Sequence, residues 1–262
     1  MSDYDLRFGG IARLYGKSAL EAFKNAHICI IGIGGVGSWV VESLARSGIG
    51  KLTLIDLDDI CTTNTNRQIH AMTTTVGESK IDVMAERVRG INPECELNLI
   101  EDFVTLENVR ELITKDFDYV IDAIDSVHVK SAIIAHCKRN KIPMVTIGGA
   151  GGQIDPTQVA MSDLSQTYQD PLLAKVRNQL RREYNFSRNT KRKFSVDAVF
   201  STEQLRYPGA DGEVCLAKNS AQGSTRLDCN AGFGAATHVT ATFGFFAVSK
   251  ALMKIAKKAN NK

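Results

Sequence analysis

At 262 residues, with 44% hydrophobic and 23% charged side chains, the chain has the make-up of an ordinary globular domain, which excludes a disordered tail, a collagen-like repeat and a polytopic membrane protein. A net charge of only +3 does not by itself announce a nucleic-acid binder. Its distribution says more, because the segment from Lys175 to Lys193 gathers eight cations against one acid and leaves the remainder net acidic.

In chain order, short apolar runs predict five strands: His27 to Ile31, Lys51 to Ile55, Glu96 to Ile100, Tyr119 to Asp122 and Met144 to Ile147. Amphipathic stretches predict helices near Gly37 to Arg46, Lys80 to Ile91, Thr105 to Ile113 and Val127 to Asn140, the alternation of βαβ units on a parallel sheet. The run Gly148-Gly149-Ala150-Gly151-Gly152 ends this regime with backbone free to turn tightly or approach a ligand. A polar strand pair, a basic helix from Pro171 to Tyr184, a polar loop to Lys193, a strand at Ser195 to Phe200 and a loop to Asn230 are expected next.

The last apolar stretch, Ala231 to Ser249, approaches membrane-spanning length but contains Thr237, His238, Thr240 and Thr242. No membrane span is expected; a buried core helix followed by Lys250, Lys254, Lys257 and Lys258 is, since cations favour a helix C-terminus. The six cysteines, Cys29, Cys61, Cys95, Cys137, Cys215 and Cys229, include no C-x-x-C pair. Free thiols in a reducing cytoplasm are predicted.

The chemistry gathers at strand ends. The first strand runs into Gly32-Ile33-Gly34-Gly35-Val36-Gly37-Ser38 and then a helix, so backbone amides there can receive phosphate oxygens. Such a loop serves nicotinamide, flavin or ATP, and Asp56 at the tip of the second strand can grip a ribose hydroxyl in any of them. Arg67 and Lys80 tilt the balance, because two further cations near one loop suit a triphosphate whose charge grows during transfer. Asp125, closing the fourth strand, stands where an open α/β sheet binds ligand and can hold a hard magnesium ion.

The ordered set G-x-G-G-x-G-S at Gly32 to Ser38, D-x-D at Asp56 to Asp58, N-x-x-R-Q at Asn64 to Gln68, Lys80 and Asp125 resembles the ubiquitin-activating-enzyme-like superfamily that includes MoeB and ThiF. The resemblance spans roughly Arg7 to Gln153 and implies a doubly wound, Rossmann-like, mostly parallel sheet that adenylates a carboxylate with ATP and magnesium. It implies that Gly32, Gly34, Gly35 and Gly37 cradle the nucleotide, that Asp56 binds ribose, and that Asn64, Arg67, Gln68 and Lys80 bind phosphates. Arg67, Lys80 and Asp125 would then be catalytic, with Asp125 the metal ligand. It also implies a homodimer in which Arg7 or Arg13, from the segment Arg7 to Gly16, enters the partner's site. Residues 1–152 would form the adenylation core with its dimer arm, and 153–262 a smaller substrate-facing part.

Two departures narrow the family. The chain lacks the paired-cysteine zinc site of MoeB and ThiF, and it carries the basic segment. With Arg7 to Gly16, Thr62 to His70, Gly148 to Thr157 and Asp228 to Thr237, these features are similar to the branch that acts on tRNA. The implied substrate is a threonylcarbamoyl-modified adenosine beside the anticodon, activated at its carboxylate and then closed on its own carbamoyl group. Arg181, Arg182, Lys191, Arg192 and Lys193 are expected to bind tRNA, with Tyr184 and Phe186 available to stack on an unpaired base. Cys229 stands as a catalytic residue, a sulfur acceptor from a cysteine desulfurase system, or an inert loop residue. An enzyme activating a small sulfur-carrier protein, a dinucleotide oxidoreductase and a non-catalytic scaffold remain the rival readings.

Overall fold

The computed structural model describes residues 2–209, 213–216 and 233–260. Two helices, α1 (Asp3–Tyr15) and α2 (Lys17–Lys24), precede a sheet-forming run of β1 (His27–Ile31), α3 (Gly37–Arg46), β2 (Lys51–Ile55), α4 (Lys80–Ile91), β3 (Glu96–Ile100), α5 (Val109–Leu112), β4 (Tyr119–Asp122), α6 (Val127–Asn140) and β5 (Met144–Ile147). There follow β6 (Val159–Asp163), α7 (Pro171–Glu183), β7 (Asp197–Ser201), a small hairpin of β8 (Tyr207–Pro208) and β9 (Val214–Cys215), and α8 (Thr237–Asn260).

Seven strands make one sheet in the order β3-β2-β1-β4-β5-β7-β6. All pairings are parallel except that of β6 with β7. Their near-continuous apolar sequences, Ile28 to Ile31 and Leu52 to Ile55 among them, suit strands covered on both faces. Helices α3, α4 and α8 cover one face, through Val40, Leu44, Met84, Val88, Phe243 and Ala247. Helices α6 and α7 cover the other, through Ile133, Ile134, Cys137, Leu173, Val176 and Leu180. Order reverses between β1 and β4, which opens the crevice where such sheets take ligands. The sheet continues across residue 152, since β7 pairs with β5.

The strands β1 to β5 have the expected bounds, and five elements differ. Helices α1 and α2 were not anticipated; Ser2 and Asp5 form a capping box that starts α1, and Tyr4, Phe8 and Leu20 pack together. The helix expected from Thr105 shrinks to α5, because the Thr105 and Asn108 side chains bond the local backbone and compete with helical turns. The polar strand pair after Gly152 is a single strand, β6, behind a 3-10 turn that begins with Pro156 and is capped by Asp155. The strand β7 starts at Asp197 rather than Ser195, because the amides of Phe194, Ser195 and Val196 all donate to the Asp163 carboxylate and Ser195 takes φ 55°.

The apolar C-terminal stretch is α8, a 24-residue helix long and apolar enough to cross a membrane by composition. In this fold 61% of its apolar window is buried, and it packs on α2, α3 and β5. It is a core helix, as expected.

Candidate nucleotide-binding site

The loop after β1 is shaped by two glycines for different reasons. Gly32 takes φ 86°, a conformation side chains rarely adopt. Gly37 opens α3 so tightly against the loop that an added Cβ would stand 1.8 Å from the Gly32 carbonyl oxygen. The result is a helix N-terminus pressed onto the strand end, with its amides and dipole aimed into the crevice. Gly35 gives passage to Arg67, whose side-chain stem would lie 3.1 Å from a Cβ added there.

Asp56, at the end of β2, is buried and holds this loop: its Oδ2 accepts the Ile33 amide at 2.6 Å and its Oδ1 the Asp58 amide at 2.9 Å. Each oxygen keeps a lone pair for a further donor. Lys80, at the start of α4 and only 5% exposed, sits with Nζ 2.6 Å from Asp58 Oδ2 and 3.9 Å from Asp56 Oδ1. Asp58 is half exposed, so this ion pair can open toward an incoming phosphate without stranding Lys80 among apolar groups.

Arg67 donates from Nη1 to the Thr63 carbonyl and to Asn66 Oδ1. Its own carbonyl accepts from Trp39 Nε1 at 3.0 Å and from the α8 residue Thr240. Thr237, the first residue of α8, bonds the Asn66 carbonyl at 2.7 Å. The last helix thus braces the arginine. Asn64 is buried with Oδ1 accepting the Cys61 amide, and so shapes the 3-10 turn (Thr62–Asn64) that leads to Arg67. Gln68 is buried near Gly34, and its Oε1 has no hydrogen-bond partner. An unpaired buried acceptor of this kind is costly unless a ligand satisfies it.

Asp125 is exposed beyond the end of β4. Together with Ser126, His128, Gly149, Leu172 and Lys175 it lines a cavity of about 760 Å³ between the start of α6 and α7. Gly149 apart, the glycine-rich segments do not line it, and neither do Arg67 and Lys80. No cluster of three metal-ligating side chains occurs among the described residues. Asp125 is a single carboxylate, which suits magnesium held largely by water and substrate phosphates.

Three residues that sequence reading passed over support these groups. His70 is buried, its Nε2 donating to the Ile33 carbonyl at 2.8 Å, and burial draws its pKa below the ordinary histidine value. Lys130, on α6, forms a wholly buried ion pair with Asp122 at 2.9 Å, and Thr146 donates to the same carboxylate oxygen at 2.7 Å. The other oxygen of Asp122 accepts the Ile124 amide, which fixes the turn carrying Asp125. Asp170 caps α7 through Leu173 and accepts the Gly149 amide at 3.0 Å. It thereby ties the glycine run after β5 to the basic helix, and burial raises its pKa.

The basic residues fall on α7 and the loop after it. Arg182 pairs with Glu183 at 2.6 Å, Arg181 lies 5.3 Å over the Phe194 ring, and Lys191, Arg192 and Lys193 are exposed. Phe186 packs edge-on against Phe194, and Arg139 lies over the Tyr184 ring; both rings are half-buried and pack against the core between α6 and α7. Arg7 is held by Asp3 at 2.6 Å, whereas Arg13 is exposed without an ion pair among the described residues. Cys229 lies outside the described residues.

A doubly wound sheet with a glycine loop, two cations and a carboxylate around its switch point defines a nucleotide-binding α/β protein of the adenylating kind. The ThiF family model matches residues 9–262, and the chain belongs to that family. A tRNA threonylcarbamoyladenosine dehydratase of Escherichia coli (strain K12) is 61% identical over 253 residues, covering 97% of this chain and 94% of that protein. A solved structure of TcdA (CsdL) superposes with a TM-score of 0.92 at 57% identity, covering 100% of this chain and 98% of that one. A structure of the E. coli TcdA dehydratase in complex with ATP matches with a TM-score of 0.88 at 56% identity, over 100% and 98% of the two chains.

Proposed function

We propose that the chain is an ATP-dependent tRNA threonylcarbamoyladenosine dehydratase. The observation that carries this reading is likeness over the whole chain, basic helix included, to proteins bearing that name, one of them holding ATP. A carboxylate is a poor electrophile because its leaving group would be oxide. Its oxygen therefore attacks the α-phosphorus of ATP, the bond to the β-phosphate oxygen breaks, and pyrophosphate leaves. The carbamoyl group then closes on the acyl carbon, AMP departs, and a proton passes to solvent. Ring closure is intramolecular and needs no protein nucleophile.

The residues of this chain supply position and charge. The α3 N-terminus and the amides of Gly34 and Gly35 receive phosphate oxygens, while Asp56 holds the ribose and Gln68 completes its bonding on the nucleotide. Arg67 and Lys80 stabilise the charge that builds on the α-phosphate. Asp125 would hold magnesium, which when bound offsets the charge of the leaving pyrophosphate. Arg181, Arg182, Lys191, Arg192 and Lys193 meet the tRNA backbone. Residues 1–152 then carry nucleotide chemistry and 153–262 the basic surface that meets the tRNA, on one continuous sheet.

A homodimer completes the reading, with α1 presenting Arg13 to the partner's site and Leu6 and Leu14, 67% and 75% exposed, as its apolar surface. Cys29, Cys61, Cys95, Cys137 and Cys215 are free thiols, in keeping with a cytoplasmic enzyme. Pyrophosphate exchange into ATP tests the reading: it should require threonylcarbamoylated tRNA and fall at least a hundredfold in Arg67→Ala. Exchange driven by a small protein ending in Gly-Gly would transfer the assignment to sulfur-carrier activation.

A further inference from the structure

The cavity between α6 and α7 has no assigned occupant. Its volume of about 760 Å³ lies within the range of small-molecule sites and admits a whole modified nucleoside. One wall is Asp125, at the strand end where the nucleotide chemistry is expected, so whatever fills the cavity reaches that chemistry without leaving the protein. The opposite wall is α7. There Lys175 is exposed and makes no ion pair or hydrogen bond among the described residues, while its neighbour Arg182 is already paired with Glu183. The apolar Leu172 lines the same space.

Polar groups on the wall are fixed in advance. Gln179, itself buried, donates from Nε2 to His128 Nδ1 at 2.8 Å and to Glu183 at 3.0 Å. A neutral His128 therefore carries its proton on Nε2, as a donor for a carbonyl oxygen. Asp170 ties α7 to Gly149, which lines the same cavity.

We infer that this cavity receives the modified nucleoside itself, with Lys175 as the cation that meets its threonyl carboxylate before adenylation. The inference rests on the dehydratase reading and deepens it. A carboxylate approaching Asp125 is repelled by it, and an unpaired ammonium on the facing wall offsets that repulsion. The contact is also selective in time: adenylation converts the carboxylate to a mixed anhydride, and ring closure leaves no carboxylate at all. Lys175 thus favours substrate over product. The exposed cations beyond α7 read only backbone phosphate, which every tRNA carries.

The test is equilibrium binding, without ATP, of one tRNA sequence in threonylcarbamoylated, cyclised and unmodified forms. Wild type should prefer the threonylcarbamoylated form by roughly tenfold or more, the scale of a charge-assisted hydrogen bond. Lys175→Ala should abolish that preference and leave affinity for the unmodified form, and for ATP, unchanged; Lys175→Arg should restore most of it. Neutralising Lys191, Arg192 and Lys193 together should weaken all three tRNAs alike. Equal weakening of every form by Lys175→Ala would make Lys175 a phosphate contact and overturn the inference, as would no change in any of them. Wild-type protein that leaves the modified nucleoside intact in the presence of ATP would instead overturn the dehydratase reading, and this inference with it.

Discussion

Lys130 and Asp122 have no solvent exposure at all, and their 2.9 Å contact lies beneath the turn that carries Asp125. Removing one partner strands the other charge in the core, so Lys130→Met should cost about 3–5 kcal/mol. The double variant Lys130→Met with Asp122→Leu should recover much of that loss, read from denaturant midpoints at constant m-value. His70 gives a pH signature. Burial, only partly opposed by its bond to Ile33, places its folded pKa below the unfolded value. The unfolded chain therefore binds the proton more readily, and the contribution of His70 to stability is present above the ordinary histidine value and lost as pH falls through it. Wild type should lose more Tm between pH 7.5 and 5.5 than His70→Gln does; equal losses would contradict this account. Neither Lys130 nor His70 was legible in the sequence. A single lysine in an amphipathic helix and a single histidine in a loop read as surface, and only the packing of β4, β5 and the glycine loop shows what they hold.

At the scale of elements, α3 begins where it does because Gly37 lacks a side chain. Gly37→Ala would drive a Cβ into the Gly32 carbonyl, and it should abolish ATP binding in titration calorimetry at temperatures where the fold persists. Phe243 on α8 is wholly buried against α3 and the sheet. Its truncation to Ala should cost about 3–5 kcal/mol and, by loosening the bonds from Thr237 and Thr240 to Asn66 and Arg67, also raise the KM for ATP. The strands were legible because continuous apolar runs between helical patterns have few other outcomes. Helices α1 and α2 were not, since α1 buries little more than Tyr4 and Phe8 and its start is set by a Ser2–Asp5 cap. The shortened α5 and the late start of β7 share a cause: side-chain bonds to local backbone, at Thr105, Asn108 and Asp163, outcompeted the regular element.

For the whole molecule, the sheet has one reactive edge, the strand ends around the β1–β4 reversal, with the glycine loop on one side and the cavity beside α7 on the other. The ordered motifs made the first side readable in the sequence. The second was readable only as charge, because its walls come from α6, α7 and the turn after β5, which meet in space and not in sequence. Charge outside the cavity should act through counterion release. Neutralising Lys191, Arg192 and Lys193 should lower the slope of log affinity for tRNA against log salt by about 0.7 to 0.9 for each phosphate that is no longer neutralised.

On the proposed function, the site activates a carboxylate on a tRNA nucleoside and closes it into a ring. Mass spectrometry of nucleosides from threonylcarbamoylated tRNA, incubated with the protein and magnesium with and without ATP, tests it directly. The expected result is an ATP-dependent loss of one water, about 18 mass units, absent in Lys80→Ala and Asp125→Ala. An unchanged nucleoside mass in the presence of ATP and the wild-type protein would contradict it.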